Sequence, residues 1–117
     1  MITEILHANS TILRGRLVSL SLVNPGYVDH TNWRDFKSTA GAIGIAIADT
    51  NEGEPCEVCI YGIFENTDWT FTPNMPVYSF DQGTLTQMIP PINIFDIGLA
   101  VTQTKLFVNI PKFIMGH

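Results

Sequence analysis

Short apolar stretches alternate with turn-forming residues along the whole chain, and none keeps a helical apolar period over about 11 residues. The stretches are Leu17–Val23, Ile43–Ala48, Val58–Phe64, Pro76–Phe80, Ile97–Val101 and Leu106–Ile110, rich in Val, Ile, Phe and Tyr. Several follow the two-residue period of a half-buried strand. In the first, Val18, Leu20 and Leu22 share a face opposite Ser19 and Ser21; in the last, Leu106, Val108 and Ile110 oppose Phe107 and Asn109. Between them, Asn24-Pro25-Gly26 joins a fixed φ to a residue free to take positive φ, as a tight turn requires. Asp81-Gln82-Gly83 suits the same task, and Thr50–Pro55 reads as a longer acidic hairpin loop. The pattern predicts an all-β fold.

The pattern also repeats. Leu20-Ser21-Leu22 matches Tyr78-Ser79-Phe80; each is followed by a turn ending in Gly26 or Gly83 and then a strand, Tyr27–Thr31 or Thr84–Met88. Ala42–Ile47 matches Asp96–Val101, and Glu57–Tyr61 parallels Leu106–Ile110. Two similar halves of about eight short strands predict a small closed barrel or tight sandwich, since closure removes the free edges that invite aggregation. Gly44 and Gly98 fall at equivalent strand-interior sites, where glycine marks a bulge or a close backbone approach. One β domain spanning 1–117 is expected, with an N-terminal arm (1–15) and a C-terminal tail (111–117) outside the duplicated core.

Composition narrows the function. The 117 residues suffice for one domain with a core. Charged residues make up 15%, against about 25% in an average domain, which points to surface hidden against a partner. The net charge of −5 argues against nucleic acid, which needs clustered Lys and Arg. From residue 38 to 104 there is no cation, yet there are eight acids. The first 37 residues carry Arg14, Arg16, Arg34 and Lys37, and the last segment adds Lys105 and Lys112. This reads as a solvated acidic surface, or as a basic end of one copy meeting the acidic body of the next. The first sixteen residues do not read as a signal peptide, and no apolar run approaches a membrane span. Synthesis in the cytoplasm is expected, with no membrane partner.

Candidate chemistry is sparse. Cys56-Glu57-Val58-Cys59 is a C-x-x-C, but residues three apart on a strand face opposite sides, so the sulfurs cannot share a metal without a bulge. His7, His30 and His117 are scattered, no Gly-x-Ser-x-Gly elbow occurs, and Ala40–Gly44 is not a phosphate loop. No catalytic, cofactor or metal residues are assigned, and the chain is not expected to be an enzyme. The candidates for contact are the aromatics of the connections, Trp33, Phe36, Trp69 and Phe71, which act either as lids on the core or as binding anchors. To these are added the basic Arg14 and Arg16 and the apolar tail residues Phe113, Ile114 and Met115, which pack back on the barrel or dock on a neighbour.

Two stretches resemble a known family. Gly41–Phe64 carries an Ile-Gly-Ile-Ala strand, an acidic Gly-Glu hairpin and a Val-x-Ile-x-Gly strand. Val77–Ile110 carries Val77-Tyr78-Ser79, Gly83-Thr84-Leu85-Thr86-Gln87, Asp96-Ile97-Gly98-Leu99-Ala100 and Leu106-Phe107-Val108-Asn109. This is similar to the small β-barrel virion proteins of tailed bacteriophages, of the capsid decoration (cement) or head-fibre type. The resemblance spans about two thirds of the chain; the aromatic segment Trp33–Phe36 departs from it. It implies a structural role without cofactor: binding and stabilising the assembled phage head. Its partners would be the major capsid protein lattice and neighbouring copies, as a homo-oligomer (a trimer) or a chain that assembles only on its lattice. The alternatives are a tail or fibre component and a carbohydrate- or ligand-binding β module that stacks on Trp33 or Trp69.

Overall fold

The computed structural model describes residues 1–91 and 96–110. These form strands β1 (Ile2–Ala8), β2 (Leu17–Leu20), β3 (Tyr27–His30), β4 (Ala42–Ala46), β5 (Pro55–Glu65), β6 (Pro76–Ser79), β7 (Leu85–Thr86), β8 (Asp96–Ala100) and β9 (Lys105–Asn109). One short helix, α1 (Phe36–Ala40), interrupts the β pattern, and a single 3-10 turn occupies Asp81–Gly83. The helix exists because Asp35 caps it, its carboxylate accepting from the Lys37 N–H at 3.0 Å. Five residues are too few to show an apolar period.

Five strands close into a barrel in the order β1-β3-β2-β4-β5, with β1 returning to β5. The segment ahead of β2 thus supplies the closing strand. β1 runs antiparallel to β5, with Leu6 opposite Cys56, and parallel to β3, with His7 opposite Tyr27. Inside lie Ala8, Ile12, Val18, Val28, Ala46, Cys56 and Val58, all fully buried. Ile12 sits on the loop after β1, which exchanges backbone hydrogen bonds of 2.8 Å with Thr50.

β5 is long enough to serve two layers. Its first half belongs to the barrel; from Tyr61 onward it pairs with β9, and the sheet continues through β8, β6 and β7. Gly62 sits at the changeover with φ of +112°, where the Met1 backbone leaves no room for a side chain. The second layer lays its inner face on the outside of the barrel. Leu17, Ala42, Ile45 and Cys59 meet Phe64, Phe71, Val77, Ile97, Ala100, Leu106 and Val108 in a second core. Burying each large side chain contributes about 1.5–3 kcal/mol, so this contact between layers, more than any one hairpin, holds the second half in place.

The repeat is real. β3-β2-β4-β5 and β7-β6-β8-β9 have the same order, and both carry a register shift at the same point, after Val18 and after Val77. Val18 faces Gly44 as Val77 faces Gly98. Beyond each glycine, Ile45 opposes Cys59 as Leu99 opposes Phe107. Tyr61 and Asn109 hold equivalent positions and face each other, so a local two-fold axis passes between β5 and β9. The second half of β5 lies against β9 as β1 lies against β5.

The sequence alignment of the halves needs two one-residue corrections. Leu20 corresponds to Ser79 rather than Tyr78, and Val58 rather than Glu57 corresponds to Leu106. The cause of the first lies in β2, which is buried on both sides. Leu17 enters the second core and Val18 the barrel, while Leu20 and Leu22 are exposed. Ser19, placed on the polar face by alternation, is buried with its hydroxyl 2.7 Å from that of Thr31. The strand expected at Thr84–Met88 shortens to Leu85–Thr86.

Candidate interaction surfaces

Most of the aromatics in the connections are pinned to the body. Trp33, 6% exposed, stacks on Phe80 with ring centroids 4.9 Å apart, and the Arg34 guanidinium lies 5.1 Å over its ring. Trp69 is half-buried, edge-on to Phe64 at 5.6 Å and tilted against Phe71 at 5.0 Å. Phe71 is buried, and its N–H donates to the Gln103 carbonyl at 2.8 Å. Phe36 alone of the four points outward, 57% exposed.

The two arginines are tied into the fold. Arg14 donates to the carbonyls of Ile47 (3.2 Å) and Glu65 (3.0 Å), and its guanidinium lies 5.1 Å over the Phe64 ring. Arg16, just ahead of β2, donates to the Gln82 carbonyl at 3.4 Å in the 3-10 turn of the other half. Phe113, Ile114 and Met115 lie outside the described residues.

The cysteines sit as the strand period requires. Cys56 points into the barrel and Cys59 into the second core, both as free thiols, and burial pushes both thiols up. Among the described residues, no group of His, Cys, Asp and Glu is placed to hold a metal ion, and no helix is long and apolar enough to cross a membrane. His30 lines a polar cleft between the halves with Asp29 and Asp81. Its Nε2 accepts from the Leu13 N–H at 3.0 Å, and burial, with Arg16 adding to it, pulls its pKa below 6.5.

Two apolar surfaces had not been singled out from the sequence. One is a groove of about 500 Å³ at the mouth of the barrel, lined by Leu6, Ile43, Ile60 and Ile110 with Glu4 beside them. The other is the outer face of the second layer. There Ile63 and Leu99 both stand opposite Phe107 across the strands, and Tyr61 meets the Phe107 ring edge-on at 5.3 Å. Tyr61, Ile63 and Leu99 are 47%, 52% and 42% exposed. The signal for this face was present: Phe107 shares the polar side of its strand with Asn109.

No family model matches the chain, and no curated protein matches it. Among solved structures, it is similar to the crystal structure of the head fiber gp8.5 N base in bacteriophage phi29. The TM-score is 0.60 at 14% identity, over 97% of this chain and 98% of that one. At this identity the likeness is one of fold: the two share an all-β architecture from end to end.

Proposed function

We propose that this chain is a structural protein of a tailed-phage particle that decorates the head, binding the assembled capsid lattice and stabilising it. The observation that carries this reading is the end-to-end fold likeness to a head-fiber base, reached at 14% identity. The strand and turn pattern of Gly41–Phe64 and Val77–Ile110 points to the same class of virion protein.

The physical features suit the role. A closed barrel braced by a second layer is a rigid block, so little ordering cost accompanies docking. The low charge content and the exposed apolar face provide surface to hide. A protein that binds the assembled lattice and not its separated subunits stabilises the shell by mass action, by about 2.7 kcal/mol per site at a hundredfold excess over Kd. The cytoplasm is the place of synthesis and the phage head the destination in this reading. No catalytic role is proposed. A carbohydrate platform is less favoured, because Trp33 is buried against Phe80 and Trp69 packs on Phe64 and Phe71.

Co-sedimentation with undecorated heads tests the proposal. Saturable binding to intact shells, with a raised temperature of shell disruption, is expected; failure to pellet with intact shells overturns it.

A further inference from the structure

We infer that the apolar groove at the mouth of the barrel is closed by this chain's own Phe113, Ile114 and Met115, with Lys112 meeting Glu4 at the rim. The inference is independent of the head-decoration reading, since it concerns how the chain completes its own barrel.

β9 runs out of partners at this groove. It lies antiparallel on β5 from Lys105, opposite Glu65, to Asn109, opposite Tyr61. Two residues further along β5, Cys59 has Thr3 on one side and Ile45 on the other, so both edges of that strand are taken. Pro111 has no N–H to give to a ladder in any case. The chain therefore has no strand to continue along beyond Ile110, and Ile110 is itself part of the groove wall.

The groove suits the residues that come next. Leu6, Ile43 and Ile60 are half-buried against the barrel core and Ile110 against the second core, so the groove spans the joint between the two. Its volume of about 500 Å³ lies in the range of pockets that enclose a mainly apolar group. Phe113 follows Ile110 by three residues, a reach of at most about 10 Å. Charge agrees with this occupant. Among the described lining residues Glu4 is the one charge, and Lys112 is the one Lys or Arg that follows β9. A lysine can lay its stem on apolar surface while its ammonium reaches a carboxylate at the edge. The tether at Ile110 also holds the segment at an effective concentration of about millimolar, which a segment from another molecule would have to exceed.

Nuclear Overhauser contacts in the full chain test this, read between the Phe113 ring protons and the methyl groups of Leu6, Ile43 and Ile60. The contacts are expected within one molecule, and none is expected between chains when isotope-labelled and unlabelled protein are mixed. A second readout uses Phe113→Ser combined with Ile114→Ser in the full chain. This variant is expected to keep the circular dichroism of wild type and to bind an apolar fluorescent dye several-fold more strongly, because its groove stands open. Contacts that appear between labelled and unlabelled chains would give the groove to a neighbour's segment and overturn the inference. Absence of the contacts overturns it too, as does equal dye binding by wild type and the folded variant.

Discussion

Gly44 and Gly98 occupy the same place in the two halves: each lies so close to the next strand that a methyl group would collide with a backbone carbonyl, that of Cys59 or of Phe107. Since a strand backbone cannot yield as a flexible side chain does, Gly44→Ala and Gly98→Ala are each expected to cost about 1–3 kcal/mol. Gly53 is the control, with φ of +84° and open space around it. Gly53→Asn, which tolerates that conformation, should stay within about 0.5 kcal/mol of wild type. Urea unfolding midpoints measure all three, and equal losses would mean that conformation, not contact, sets the requirement.

Arg14 is expected to act as a clamp between layers, since it bonds carbonyls from the β4–β5 connection and from the end of β5. Its exposure limits the effect. Arg14→Ala should destabilise by about 1 kcal/mol, and Arg14→Lys should not restore it, because an ammonium cannot serve two carbonyls and a ring at once. A thermal melt that separates Lys from Ala by more than half the loss contradicts this.

His30 gives the fold an acid sensitivity of known sign. Its folded pKa lies below 6.5 because burial, chiefly, and Arg16 disfavour the cation, while Asp29 opposes them. The contribution to stability is complete above pH 6.5 and is lost as pH falls through the folded pKa. Unfolding midpoints between pH 7.5 and 5 should therefore drop more steeply for wild type than for His30→Gln. Parallel curves would remove His30 from the account.

The thiols should be inert in the native chain. Burial raises both above 9.0, and they point into different cores. Reaction with a thiol reagent at pH 8 is expected to be slower than in the denatured chain by about a hundredfold or more, because labelling waits for opening. Mild oxidation should form no Cys56–Cys59 bridge. Prompt labelling of either cysteine under native conditions would show that its core is open.

Much of the architecture was legible in particular residues. The paired Ile-Gly strands gave the repeat, and turns at Gly26 and Gly83 gave its spacing. What misled was burial on two sides: Leu17 and Val18 are adjacent and both inside, so alternation in β2 conveys no single face. The closing strand was hidden for another reason. Ile2, Ile5 and Leu6 break the two-residue period, and closure depends on a parallel pairing of His7 with Tyr27 that no local pattern encodes. The surfaces were harder still. Tyr61, Ile63 and Leu99 look like core residues in sequence, and only the stacking of one half on the other decides which copy of an apolar face is covered.

A reconstruction of the purified phage particle that carries this chain tests the central claim most directly. Density fitting the five-stranded barrel and its second layer is expected on the outer surface of the head, at sites repeated by the capsid symmetry. Finding this chain only in the tail, or absent from purified particles, would contradict the account.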